Sequence, residues 1–91
     1  MRHFEIRWTD RSESHIARHG VWPSEVEEVL SSRPLLLLKG REDTCLAYGQ
    51  TYAGRYLIVV LVEAEDGRSF IVTARDMTVQ EIRQFRRKGQ R

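Results

Sequence analysis

The longest unbroken apolar stretch is Tyr56-Leu57-Ile58-Val59-Val60-Leu61-Val62, rich in β-branched residues. Too short for a membrane span, it predicts a strand buried on both faces. Glu65-Asp66-Gly67-Arg68 follows as a turn, since Asp-Gly tolerates the positive φ of a tight hairpin, and Phe70-Ile71-Val72-Thr73-Ala74 predicts an antiparallel return strand. Thr78-Val79-Gln80-Glu81 then has the spacing of a capping box, which starts a helix at Val79. Met77 and Ile82 flank the cap at the spacing of a hydrophobic staple.

Ahead of this unit, Phe4-Glu5-Ile6-Arg7-Trp8 alternates and predicts a half-buried first strand with Phe4, Ile6 and Trp8 inward. Asp10 followed by Glu13 marks a helix over Arg11 to His19, stopped by Gly20 in the left-handed conformation that ends helices. Pro23 opens a second helix whose apolar edge is Val26, Val29 and Leu30, and Ser31-Ser32-Arg33-Pro34 ends it. Leu35 to Leu38, between Pro34 and Gly40, reads as a strand; Arg41-Glu42-Asp43 is a loop. Thr44 to Gln50 is a further strand, linked to the central one by Thr51-Tyr52-Ala53-Gly54. The order β, α, α, β, β, β, β, α predicts a small α+β fold: an antiparallel sheet of about four strands, packed with two short N-terminal helices and a C-terminal helix.

Length and composition narrow this further. The 91 residues suffice for one domain, 1–91, whose end, 82–91, is a basic helix terminus and tail. With 41% apolar and 31% charged residues and no repeats, the chain is compact rather than disordered. No apolar run approaches the ~20 residues of a membrane helix. Met1-Arg2-His3-Phe4-Glu5 lacks the apolar centre of a signal peptide, so a cytoplasmic location is expected. The lone Cys45 reads as a small core hydrophobe. Net charge is +2, yet Arg83, Arg86, Arg87, Lys88 and Arg91 crowd the end without an acidic neighbour, pointing to a phosphate-bearing or acidic partner or to a solvated helix face with a basic tail.

Hairpin geometry brings candidate chemistry to one end of the sheet. With Asp66-Gly67 at the tip, Arg55 and Arg75 fall at the opposite end. The preceding turn brings Tyr48 and Gln50 there too, and the last helix begins there. Two guanidinium forks, a phenol and helix amides form a phosphate-binding corner. The plainer alternative pairs Arg75 with Asp76 or Glu81, leaves Arg55 solvated, and lets the capping box take the free amides. His19 is either a helix-terminal cap or a general acid or base, imidazole being suited to proton transfer near neutral pH. His15 and His19 are spaced like a metal pair, but no third ligand at sensible spacing accompanies them, so neither a metal nor another cofactor is expected. No glycine-rich phosphate loop, nucleophile elbow or paired-Cys motif is present.

Trp8-Thr9-Asp10, His15-Ile16-Ala17-Arg18-His19-Gly20-Val21 and Glu25-Val26-Glu27-Glu28-Val29-Leu30 together resemble the N-terminal half of BrnT-like toxins, which carry a basic-His-Gly-Val motif between two short helices. Tyr48-Gly49-Gln50-Thr51, Gly54-Arg55, and Ile71 to Thr78 with Glu81 resemble that family's C-terminal signature. The resemblance covers about Phe4 to Arg87. It implies a RelE/ParE-like toxin fold, ribonuclease activity that arrests translation, and neutralisation by a cognate antitoxin with a ribbon-helix-helix DNA-binding part. A homodimer or a toxin–antitoxin heterotetramer is the assembly expected. On this reading the chain is the toxin of a type II toxin–antitoxin system and a metal-independent endoribonuclease. Arg55 and Arg75 stabilise charge, His19 or Tyr48 moves the proton, and Arg83, Arg86, Arg87 and Lys88 hold RNA. The rival reading is a catalytically inactive toxin-like module that binds an antitoxin or nucleic acid.

Overall fold

The computed structural model describes residues 4–89, leaving Met1 to His3, Gln90 and Arg91, the last of the basic tail, outside the described residues. The elements are β1 (Glu5–Arg7), α1 (Asp10–Ala17), α2 (Pro23–Ser31), β2 (Leu36–Lys39), β3 (Cys45–Gln50), β4 (Tyr56–Glu63), β5 (Arg68–Asp76) and α3 (Val79–Gly89). The α+β class and the element order agree with the hydrophobic pattern. The sheet, however, has five strands in the order β1-β5-β4-β3-β2, and β1 runs parallel to β5. The antiparallel four-strand expectation is corrected on that point. The two N-terminal helices carry the chain across one face between β1 and the opposite edge, and Ile6 lies beside Ser69 in the parallel pairing.

β4 is central, and its alternation feeds two cores. Leu57, Val59 and Leu61 join Ile16, Val26, Val29, Leu30, Ala47, Ile71 and Ala74 under α1 and α2, with Phe4, Ile6 and Trp8 packed at the margin. Ile58 faces the other way, with Tyr48, Met77 and Phe85 beneath α3 and Tyr56 and Ile82 beside them. Gly49 gives α2 its close approach, because a Cβ there would lie 2.8 Å from the Ser32 hydroxyl and 3.0 Å from Val29. Met77 and Ile82 enter the same cluster on either side of the cap, as a staple requires.

Helix starts follow local chemistry. The cap of α1 is Thr9 rather than Asp10: the Ser12 amide donates to Thr9 Oγ1 (3.0 Å) and the Thr9 amide to Ser12 Oγ (3.0 Å). The helix ends two residues short of His19, and Gly20, at φ +68°, turns the chain towards α2. Pro23 occupies the first turn of α2. At α3 the Glu81 amide donates to Thr78 Oγ1 (3.1 Å) and the Thr78 amide to Glu81 Oε1 (2.8 Å).

β5 carries a bulge. Val60 pairs with Thr73 but Leu61 with Ile71, so Val72 is the extra residue. Its carbonyl is met by His15 Nδ1 of α1 at 3.1 Å, which fixes α1 against the strand.

Candidate active site

The β3–β4 and β4–β5 registers place Tyr48, Ile58 and Arg75 in one cross-strand row. Tyr48 and Arg75 therefore share the α3 face, two strand spacings of about 4.8 Å apart. The Tyr48 ring is buried in the α3-side core. Arg75 Nη1 donates to Glu81 Oε1 (2.8 Å) and Nη2 to Oε2 (3.0 Å), a two-pronged pair, and Nη1 also reaches the Asp76 carbonyl (3.0 Å). The Glu81 carboxyl, bound first by Arg75 and then by the Thr78 amide, is held down at about 2. Arg75 is raised above its ordinary value by the Glu81 hydrogen bond, with a smaller contribution from the nearby Tyr48 phenol. A guanidinium carries five N–H donors. In Arg75 the Nε–H and one Nη2 hydrogen have no partner among the described residues, and the side chain is 43% exposed.

Arg55 is placed differently. Its Nε donates to Asp76 Oδ1 (2.8 Å) and Nη2 to Oδ2 (3.1 Å). Its Nη1 donates to Glu25 Oε1 (3.0 Å) and the Gly20 carbonyl (2.8 Å), and Nη2 to the His19 carbonyl (3.3 Å). All five donors are thereby engaged, and the side chain is only 28% exposed. The Asp76 hydrogen bond raises Arg55 above its ordinary value and lowers Asp76 in turn. The two arginines thus share one end of the sheet but not one face. Asp76 pairs with Leu57 on the α1–α2 side, whereas Arg75 pairs with Ile58 on the α3 side. The single arginine corner is corrected to two half-sites flanking the last residues of β5.

His19 belongs to the Arg55 half. Its side chain is exposed, and it lies near enough to Asp76 to help lower that carboxyl. Tyr48 belongs to the Arg75 half. His15 turns towards the Val72 carbonyl instead of forming a pair with His19, and among the described residues no three His, Cys, Asp or Glu side chains are grouped to hold a metal ion. Arg83, Arg86, Arg87 and Lys88 are exposed on α3 and make no ion pair among the described residues. Arg83 and Arg87 line a shallow groove of about 430 Å³ with Gln80 and Gln84.

Sequence reasoning missed Asp76 and Glu25 as the acceptors that immobilise Arg55. It also missed Trp22. This ring, 71% exposed, borders a recess of about 230 Å³ with Ala17, Gly20 and Val21, beside His19. Trp22 is the sequence neighbour of the His-Gly-Val stretch, and that adjacency was the available signal.

Compared with known proteins, residues 8–81 match the family model described as the ribonuclease toxin BrnT of a type II toxin–antitoxin system. The match runs from Trp8 through the first turn of α3, so it contains both half-sites. No curated protein and no solved structure matches the chain.

Proposed function

The chain belongs to the BrnT family of ribonuclease toxins of type II toxin–antitoxin systems, and from that premise we propose a metal-independent cleavage of RNA at the β5 end of the sheet. An antitoxin partner follows from the family itself. RNA carries its own nucleophile. The 2′-oxygen attacks the adjacent phosphorus, the P–O5′ bond breaks, and a 2′,3′-cyclic phosphate and a 5′-hydroxyl result. The protein has to take the 2′ proton, stabilise the crowded phosphorane and return a proton to the leaving oxygen.

Arg75 is assigned to the phosphorane. The observation that carries this is its two N–H donors without a partner among the described residues, on a guanidinium already aimed by Glu81. Arg55, with every donor engaged, acts by holding the His19–Gly20 loop against Asp76. His19 and Tyr48 are the titratable groups on the two sides and are assigned the proton transfers. Arg83, Arg86, Arg87 and Lys88 of α3 hold the RNA backbone. The antitoxin is assigned a ribbon-helix-helix DNA-binding part, the complex is a toxin–antitoxin heterotetramer or the free toxin a homodimer, and the site of action is the cytoplasm. Among the described residues no helix is long and apolar enough to cross a membrane.

The test is cleavage by the full chain in EDTA. Arg75→Ala should cleave roughly 10²-fold more slowly while binding RNA far less altered, and Arg75→Lys should recover only part of the rate. Wild-type cleavage by folded Arg75→Ala, or a loss of wild-type activity in EDTA that a divalent ion restores, would refute the assignment.

A further inference from the structure

We propose that the recess bordered by Trp22 accepts one unstacked base of single-stranded RNA on the His19 side of the β5 end, with the indole as its stacking partner; the choice of RNA rests on the ribonuclease reading above. An indole left 71% exposed is a costly placement for a side chain that normally buries a large apolar area. Here the backbone that carries it is also held in place. The Trp22 amide donates to Glu25 Oε1 (3.0 Å), and that same oxygen accepts from Arg55 Nη1 (3.0 Å), so the guanidinium that fixes the His19 loop also fixes the start of α2.

Beside the ring, Ala17, Gly20 and Val21 line an apolar hollow of about 230 Å³, and apart from Gly20's own chain neighbours no atom lies within 4 Å of where a side chain at Gly20 would start. A planar aromatic group enters such a space by sliding its face along the indole. The surroundings choose the kind of planar group. Arg18 and His19 precede the recess directly; both are exposed, and Arg18 makes no ion pair among the described residues. A base in the recess therefore brings its own phosphate to a cation and an imidazole. A single ring and one small hollow lined by Ala17, Gly20 and Val21 do not supply the apolar centre of a protein interface of about 800 Å² per partner. Stacking on an aromatic platform needs no such patch and tolerates any base, so the contact sets the register of the strand without reading much sequence.

The experiment titrates the full chain into a short fluorescein-labelled 2′-O-methyl oligoribonucleotide, which cannot be cleaved, and reads affinity from the label's anisotropy, with wild-type tryptophan emission followed in parallel. Binding should quench emission. Trp22→Ala should weaken binding roughly 5- to 150-fold, and Trp22→Phe should keep most of the affinity. Trp22→Ala keeps the backbone amide that meets Glu25, and circular dichroism checks its fold. Ala17→Leu provides a second variant, filling the hollow from α1 with the indole intact; it should weaken binding in the same direction. Affinity within about twofold of wild type in folded Trp22→Ala and Ala17→Leu overturns the proposal. So does retained RNA affinity with lost antitoxin affinity, which gives the ring to the protein partner. A wild type that binds through Trp22 but cleaves no RNA sinks the catalytic reading and leaves this inference standing. A wild type that cleaves with ring-independent affinity sinks this inference alone.

Discussion

Arg55 and Arg75 carry the same side chain at the same end of one sheet, and the acceptors around them give them different work. For Arg55 the acceptors come from three elements of the chain: two loop carbonyls, the Glu25 carboxylate of α2 and both oxygens of Asp76 on β5. Lysine offers three donors from a single point and cannot span that set. Arg55→Lys should therefore lower stability by about 2 kcal/mol, since partly buried carboxylate and carbonyl acceptors lose charged donors, although net charge is unchanged. Arg75→Lys should change stability much less, because the pair it weakens is closer to solvent, and should show its loss in cleavage rate. Urea midpoints set beside single-turnover rates for the two variants test this. Equal stability losses, or a rate loss for Arg55→Lys without any destabilisation, would return Arg55 to the reacting phosphate.

At the scale of elements, the β5–α3 junction joins fold to function, because one Glu81 carboxylate closes the helix cap through Oε1 and aims Arg75 through both oxygens. Thr78→Ala should cost about 1 kcal/mol through the lost cap, read as a lower urea midpoint with an unchanged circular dichroism spectrum. The junction also predicts an acid limit. Glu81 falls from its ordinary 4.5 to about 2, and Asp76 is lowered in the same direction by Arg55. A depressed carboxyl contributes stability that is complete above its unfolded value and is lost as pH falls towards its folded one. Stability should thus decline from about pH 4.5 down to about pH 2, and Glu81→Gln should flatten that decline while lowering stability at neutral pH. An equally steep acid decline in Glu81→Gln would show that the pair contributes nothing. The same strand explains what the sequence could tell. The hairpin tip and the capping box are legible in Asp66-Gly67 and Thr78 to Glu81, and both stand as read. The face of Arg75 is not. Extending the register straight from the tip sets Arg75 on the face of Arg55, and the extra residue at Val72 moves it to the other. Nothing in Phe70 to Ala74 marks a bulge, since every residue there suits a regular strand. The alternation of Phe4, Ile6 and Trp8 likewise reveals a buried face and says nothing of a parallel partner, which hydrogen bonds decide rather than side chains.

Across the whole molecule a net charge of +2 conceals an uneven distribution. The carboxylates beside the half-sites are engaged: Asp76 and Glu25 by Arg55, Glu81 by Arg75, and Glu28 by the Tyr52 amide. The outer face of α3 instead presents Arg83, Arg86, Arg87 and Lys88 without ion pairs among the described residues. A polyanion should therefore meet the protein first along α3 and be cut at the β5 end, where that helix begins. Arg83 and Arg87 lie one turn apart on the same groove, so reversing both to Glu removes two neighbouring phosphate contacts while leaving buried Phe85 and the Thr78 cap untouched. On single-stranded nucleic acid each contact contributes about 0.7 to the slope of log affinity against log salt. The double reversal should lower that slope by about 1.4, weaken binding of uncleavable RNA most at low salt, and leave the urea midpoint nearly unchanged. An antitoxin that silences the toxin by covering the same face should associate more slowly with the double variant, because its complementary charge would meet repulsion. Unchanged salt slopes would remove α3 from the RNA path. An unchanged association rate with a reduced RNA slope would place the antitoxin elsewhere, and inhibition would then have to act on the β5 end directly.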